Sequence, residues 1–103
     1  MPDDRSPEQR LRDAEDALAR LAQGEGPTPE EMAAAPRLDF WSVVVVEGEL
    51  ALSGLVTGHP SLDDGAHILT SALLWLAGDR SAARTFSRFY RLGVSGSEPL
   101  SLC

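Results

Sequence analysis

The chain has 103 residues, 43% of them hydrophobic and 24% charged, which is an ordinary composition for a soluble single-domain protein. Sixteen acidic residues against nine arginines give a net charge of −7, which disfavours nucleic-acid binding and favours a basic partner. The chain lacks an apolar run of about 18 residues, a secretory signal and a second cysteine beside Cys103. We therefore predict a cytoplasmic protein without membrane segments or disulfides.

The negative charge lies in the first half of the chain. Residues 1–50 hold twelve acidic residues and five arginines, whereas residues 51–103 hold four of each. Solubility is the simplest explanation of this asymmetry. The alternative is an acidic surface that binds a basic partner.

Two helices are predicted before residue 37. Ser6, Pro7 and Gln9 form an N-terminal capping signal, and apolar residues then recur at helical spacing until Gly24. The apolar stripe consists of Leu11, Ala14, Leu18 and Leu21. A second capping signal begins at Thr28 and predicts a short helix that ends before Pro36.

Strands are predicted from residue 40 onward. Residues 40–46 include four consecutive valines, which favour extended backbone. The turn at 47–49 leads into a second strand over 50–58, where Gly54 indicates a bulge, a bend or close contact with an aromatic ring such as Trp41 or Trp75. After a loop, residues 66–77 are long enough for one bent strand.

The pattern over residues 81–92 allows two structures. As a helix, this segment would begin at Ser81 and end at Gly93; as a strand, it would form a hairpin with residues 66–77. The residue pattern leaves both open. The following residues, 94–103, are predicted to be irregular and mobile.

Two stretches of the chain carry a family resemblance. Leu52 to Ser71 reads L-x-G-x-V-x-G-H-P-x-L-x-D-G-x-x-I-x-T-S, and Arg84 to Gly93 reads R-T-x-S-R-x-Y-R-L-G. Together they resemble a family of short, uncharacterised bacterial proteins. The resemblance covers about half of the chain and excludes the N-terminal helices. It implies a strand rather than a helix over 84–92 and implies no chemistry.

We therefore predict an α+β fold, in which an N-terminal helix and a short second helix pack on a four-stranded antiparallel β-meander. The acidic helical segment spans residues 1–36 and the sheet core spans residues 37–93. A flexible tail over 94–103 completes a single domain.

No catalytic or metal motif is present in the sequence. His59, Asp63, Asp64 and His67 flank one loop, but their spacing matches no common metal site, and turn chemistry explains them. Ser, His and Asp are present as residue types, yet no nucleophile elbow accompanies them. We predict no catalytic residue, no metal and no cofactor.

The charge pattern predicts a non-enzymatic protein-binding module that occupies a basic, nucleic-acid-binding surface of a partner. Small proteins of mobile elements include anti-CRISPR and other counter-defence inhibitors, and this chain is similar to them in size and charge. The predicted partner-binding residues are Asp13, Asp16, Glu30, Glu31, Glu47 and Glu49.

The alternative is a small nucleic-acid-binding or regulatory protein. It would use Arg84, Arg88 and Arg91, which lie near three aromatic residues that can stack on bases. These arginines are also expected to pair with the acidic helices of the chain itself. Homodimerisation through an open edge strand is compatible with either function.

Overall fold

The computed structural model describes residues 5–96. Two helices precede six strands in this part of the chain, so the predicted α+β class and helix order are confirmed. The elements are α1 (Pro7–Ala22), α2 (Pro29–Ala34), β1 (Arg37–Val46), β2 (Glu49–Thr57), β3 (Ala66–Leu69), β4 (Leu73–Leu76), β5 (Ala82–Thr85) and β6 (Phe89–Leu92).

Both helices begin at their predicted capping residues. The Ser6 side chain accepts a hydrogen bond from the backbone N–H of Gln9. Thr28 and Glu31 form a reciprocal capping box at the start of α2. Ala14 is the buried member of the predicted apolar stripe of α1, and Ala17, which lies outside that stripe, is buried as well. Leu11 and Leu18 remain 48% and 41% exposed.

The six strands form one mixed sheet in the order β3-β2-β1-β6-β5-β4. Neighbouring strands are antiparallel except β1 and β6, which are parallel. In that pair, Arg37 lies opposite Arg91 and Leu38 lies opposite Leu92. The predicted four-stranded antiparallel meander is therefore wrong. Residues 66–77 form two strands, β3 and β4, on opposite edges of the sheet rather than one bent strand.

A short link between β3 and β4 curls the sheet. The two edges of a flat six-stranded sheet would be about 24 Å apart, whereas the four Cα steps from Leu69 to Leu73 span at most about 14 Å. The sheet must therefore bend until its edges approach each other, and β2 does contact β4. The Thr70 N–H donates to the Leu52 carbonyl, and the Ala72 carbonyl accepts from the Phe86 N–H.

Residues 81–92 are neither a helix nor one strand. They form the antiparallel pair β5 and β6, with Ala83 opposite Tyr90. The connection is closed by the Thr85 N–H and hydroxyl, which both donate to the Arg88 carbonyl. The family resemblance implied one strand over 84–92, whereas the structure has strand residues at 84–85 and 89–92 with a turn between them.

Two successive residues of β6, Phe89 and Tyr90, belong to two different apolar clusters. Tyr90 lies on the inner face of the curled sheet, whereas Phe89 lies on the face that the helices cover. The inner cluster contains Leu38, Trp41, Leu52, Val56, Ala83 and Tyr90. The outer cluster contains Ala17, Ala35 and Phe89, with Leu21 and Trp75 packed against them.

Gly54 lies opposite a bulge in β1. The register between β1 and β2 shifts between Asp39 and Ser42, and Phe40 has a φ of 53°. A Cβ atom at Gly54 would be 2.8 Å from the Asp39 carbonyl oxygen and 2.9 Å from Cγ of Leu38. The predicted bulge is thus present, on the neighbouring strand, because only a glycine leaves room for it.

The first residues of the predicted tail are paired with β1. The backbone N–H groups of Phe40 and Trp41 donate to the Val94 carbonyl, and the Gly96 N–H donates to the Trp41 carbonyl. The rest of the predicted tail, 97–103, lies outside the described residues. Within 5–96, no helix is long and apolar enough to cross a membrane.

We expect Gly54→Ala to lower the free energy of unfolding by about 1–3 kcal/mol, because the added methyl group overlaps backbone and core atoms. Urea denaturation measures this change. Gly78→Ala is the matched control, since a Cβ atom at Gly78 would meet nothing within 4 Å. Equal stability of the two variants would contradict the packing described for Gly54.

Candidate functional site

The predicted acidic residues do not share one surface. Three of them, Asp13, Asp16 and Glu31, line a cleft between the helices and β5. Arg5, Arg20 and Arg84 line the same cleft, so its charges are mixed. Glu47 and Glu49 instead flank the β1–β2 turn, and Glu30 is exposed on α2.

Asp13 and Glu31 are held by arginines of the chain itself. The Arg5 guanidinium lies 2.9 Å from an Asp13 carboxylate oxygen, and Arg20 Nη1 lies 2.9 Å from Glu31 Oε2. The hydrogen bond from Arg20 is the main cause that lowers the pKa of Glu31 to about 2. The hydrogen bond from Arg5 likewise lowers the pKa of Asp13. These two carboxylates are therefore largely neutralised.

The three predicted arginines are also separated. Arg84 is 5% exposed, and its guanidinium lies 5.0 Å from the centre of the Phe89 ring. Burial is the main cause that lowers the pKa of Arg84. Arg91 donates from Nε to the Ala35 carbonyl at 3.0 Å, whereas Arg88 lines a different cleft.

Within residues 5–96, Arg84 makes no ion pair with the acidic helices, although Asp13 and Glu31 line the same cleft. Asp13 and Glu31 are bound by Arg5 and Arg20 instead. The cause is geometric. Arg84 lies in strand β5. Arg5 precedes α1 and Arg20 belongs to it, so these two arginines are within ion-pair distance of Asp13 and Glu31.

A second cleft, which we call the hydroxyl–arginine cleft, has a volume of about 280 Å³. It is bounded by the loop after β2, by β3 and the link that follows it, and by the turn into β6. Its lining residues are Arg10, His59, Ser61, Leu62, Ile68, Leu69, Thr70, Ser71, Ser87, Arg88 and Tyr90.

Hydrogen bonds fix several side chains in the hydroxyl–arginine cleft. His59 Nδ1 accepts from the Ser61 N–H at 3.0 Å, which leaves the proton of the neutral ring on Nε2. The His59 ring lies 6.5 Å from the Tyr90 ring, and burial raises the pKa of the Tyr90 hydroxyl. Ser71 Oγ donates to Ser87 Oγ at 3.2 Å and accepts from the Ser87 N–H.

This arrangement does not form a hydrolase triad. His59, Ser71 and Ser87 are gathered in one cleft, but no Asp or Glu is among the described residues that line it. A triad requires a carboxylate or an equivalent group that orients the histidine. Ser and His were noted in the sequence as residue types of a triad, but no sequence pattern indicated that the sheet brings His59, Ser71 and Ser87 together.

Asp64 and His67, two other residues of the predicted loop region, do not line the hydroxyl–arginine cleft. The Asp64 carboxylate accepts from the Gly58 N–H at 2.8 Å, which closes the turn after β2. His67 is exposed on β3 and does not line the cleft with His59. In the part of the chain that the structure describes, no three His, Cys, Asp or Glu side chains gather as metal ligands would.

The β1–β2 arm, residues 43–50, is an apolar surface that the sequence did not predict. Val45 is 68% exposed, Leu50 is 50% exposed and Val43 is 42% exposed. Glu47 and Gly48 have φ angles of 51° and 84°, as a tight two-residue hairpin turn requires. On the side of β1 away from β2, no described residue pairs with the backbone beyond Trp41.

A family model matches residues 6–99, and its description is a family of unknown function, DUF6634. The chain belongs to this family. The match extends over both helices, which the resemblance seen in the sequence did not include. No curated protein matches the chain, and no solved structure does. The fold of this DUF6634 protein is therefore described from its own structure.

The two stretches that carry the sequence resemblance converge in the hydroxyl–arginine cleft. The first stretch contributes His59, Leu62, Ile68 and the Thr70-Ser71 pair, and the second contributes residues 87, 88 and 90. They are brought together because the β3–β4 link places the end of β3 beside the turn before β6. The cleft is thus a site at which distant segments of this DUF6634 protein meet.

We expect the Arg20–Glu31 ion pair to stabilise the protein only above acidic pH. The pKa of Glu31 falls from 4.5 to about 2 on folding, so this stabilisation is present above pH 4.5 and is lost as the pH falls towards 2. Glu31→Gln retains a side-chain acceptor for the capping box but removes the charge. Because the pair is about one-third exposed, we expect a loss of about 0.5–1 kcal/mol at pH 7.

Urea denaturation of the Glu31→Gln variant between pH 7 and pH 2 measures this effect. The variant should lose less stability than the wild type as the pH falls, and the two should converge near pH 2. Glu30→Gln on the same helix is the control, because Glu30 is exposed. A Glu31→Gln variant with the wild-type pH dependence would show that the ion pair contributes nothing.

Proposed function

We propose that this protein is a non-enzymatic protein-binding module and that the β1–β2 arm contacts the partner. The observation that carries the proposal is the arm itself, an exposed strand of valines with one unpaired backbone edge among the described residues. Its acidic turn supplies charge at the tip.

An edge strand with exposed apolar side chains promotes aggregation unless another segment pairs with it. Natural proteins shorten, bend or charge their edge strands, because unpaired backbone groups beside apolar side chains promote aggregation. On β1, Val43 and Val45 are exposed, and within residues 5–96 no residue pairs with the adjacent backbone edge. An edge of this kind is well suited to pair with an extended segment of another protein.

Charge complementarity indicates a basic partner. Glu47 lies in the turn of the arm and Glu49 follows it, and no arginine is among the described residues that line the adjacent hollow beside Leu69 and Thr70. The chain has an overall net charge of −7, which adds long-range attraction to a basic surface. Inhibition of a nucleic-acid-handling protein, as by an anti-CRISPR, is the most specific form of this proposal.

The arm is a better candidate for the contact than the acidic cleft. Asp13 and Glu31 are already bound by Arg5 and Arg20, so a partner would have to displace those arginines. Nucleic-acid binding through the predicted arginine cluster has no comparable support, because Arg84 and Arg88 line different clefts.

We expect the double substitution Glu47→Lys/Glu49→Lys to weaken the complex. Retention of partners from a native lysate at low salt, after nuclease treatment, identifies a basic protein by mass. That protein is then purified, and its affinity for each variant is measured by calorimetry. The arm variant should bind at least tenfold more weakly, and added salt should weaken wild-type binding because it screens the charges.

Glu15→Lys/Glu25→Lys is the matched control. It changes the net charge by the same amount at two exposed positions outside the arm. Wild-type affinity of this control, with loss in the arm variant, would support the proposal. An equal loss of affinity in both variants would show that binding depends only on net charge. Unchanged affinity of the arm variant would refute a role for the arm.

A further inference from the structure

A hollow with a volume of about 330 Å³ lies beside the β1–β2 arm, and we call it the arm hollow. One wall is the arm on either side of its turn, and the other wall is the end of β3 with the link that follows it. The strand β2 extends past β3, since Ser53 lies opposite Leu69, the last residue of β3. Among the described residues, the stretch of β2 nearest the turn therefore has this space beside it instead of a neighbouring strand.

A backbone acceptor of β2 faces the arm hollow. The Leu52 carbonyl accepts from the Thr70 N–H, and the Leu52 N–H donates to the Thr70 hydroxyl. Backbone groups two residues apart on a strand point to the same side, so the Leu50 carbonyl faces this side as well. Within residues 5–96, no strand or link residue pairs with Leu50 there. The Leu50 carbonyl is thus available to a donor that enters the hollow.

Both walls of the arm hollow expose apolar side chains. Leu50 of the arm and Leu69 of the opposite wall are 50% and 55% exposed, and Val46 also lines the hollow. Val45 lies opposite Leu50 in the hairpin and extends this apolar surface along the arm. An exposed apolar patch with a polar rim is typical of a protein-interaction site.

The polar rim of the arm hollow is negatively charged. Glu47 and Glu49 both line the hollow, and neither makes an ion pair with a described residue. No arginine is among the described residues of this lining, so its carboxylates are not neutralised locally. The potential in the hollow therefore favours a cation.

We propose that the arm hollow binds an arginine side chain presented by the basic partner. This inference rests on the proposed function, because the hollow belongs to the same arm. The aliphatic stem of the arginine lies against Leu50 and Leu69. Its guanidinium donates to the carboxylates of Glu47 and Glu49 and to the Leu50 carbonyl.

Arginine fits the arm hollow better than lysine does. A guanidinium has five N–H donors in a plane and can bind a carboxylate through two of them. It is also more weakly hydrated than an ammonium group, so less favourable hydration is lost when it enters a space with apolar walls. Arginine is correspondingly enriched at protein interfaces, whereas lysine is depleted.

Three blocked tripeptides test this proposal: acetyl-Val-Arg-Val-amide, its lysine analogue and its citrulline analogue, which resembles arginine in shape but has no charge. Each is titrated into the full ¹⁵N-labelled chain, and amide chemical shifts report the contact. The arginine peptide should shift Leu50, Leu69 and Thr70. The lysine peptide should bind about threefold more weakly, and the citrulline peptide about tenfold more weakly.

One pair of variants tests the apolar wall. Leu69→Thr shortens that wall and keeps both carboxylates, so it should weaken binding of the arginine peptide about fivefold. Leu62→Thr makes the same change at an exposed position outside the hollow and should leave the affinity unchanged. Amide shifts far from each substitution verify that the variant is folded. Equal affinity of the two variants would overturn the proposal.

A second pair tests the carboxylates. Glu47→Gln/Glu49→Gln should remove the preference for the arginine peptide over the citrulline peptide. Glu15→Gln/Glu25→Gln loses the same charge at exposed positions outside the hollow and should keep that preference. Shifts spread over the acidic surface, or equal binding of the arginine and citrulline peptides to the wild type, would overturn the proposal.

The purified partner separates this inference from the proposed function. It should bind Leu69→Thr more weakly than the wild type. A partner that loses affinity for Glu47→Lys/Glu49→Lys but not for Leu69→Thr would support the arm as the contact and overturn the hollow as part of it. Peptide binding in the hollow, with a partner indifferent to all arm variants, would overturn the proposed function while the hollow remained an arginine site.

Discussion

The three-residue link between β3 and β4 is the constraint on which the architecture depends. It joins opposite edges of a six-stranded sheet, so the sheet has to curl, and its inner face closes around Leu38, Leu52 and Val56. The same curl places the residues before β6 beside the end of β3. The inner apolar cluster and the hydroxyl–arginine cleft are therefore two results of one connection. Hydrogen bonds of Thr70 and Ala72 hold the link in place at both ends.

Ion pairs join the two helices to each other and join α1 to Arg5, which precedes it. Only Ala14 and Ala17 of α1 are buried, and such small side chains contribute little apolar area. The ion pairs of Arg5 with Asp13 and of Arg20 with Glu31 tie the segments together above the buried guanidinium of Arg84. Asp13 and Glu31, two of the twelve acidic residues in the first half of the chain, thus have a structural role, whereas Glu47 and Glu49 make no ion pair among the described residues.

Local signals in the sequence predicted local structure well. The caps at Ser6 and Thr28 and the turn at Gly48 depend on neighbouring residues, and all three are present. The strand partners could not be derived, because the parallel pairing of β1 with β6 joins residues more than 50 positions apart. The cleft was missed for the same reason: its donors come from separate segments, and no local pattern unites them. The exposure of the β1–β2 arm was missed because a valine run is equally typical of a buried strand.

The parallel pairing of β1 with β6 also determines when the fold can be completed during synthesis. β1, β2 and β3 leave the ribosome early and can pair among themselves, since each is antiparallel to its neighbour in sequence. The other side of β1 must wait for β6, the last strand of the described chain. In a nascent chain, the first residues of β1, Arg37 and Leu38, therefore remain unpaired on that side until β6 has been translated. Contacts so distant in sequence slow folding and prolong the time for which intermediates can aggregate.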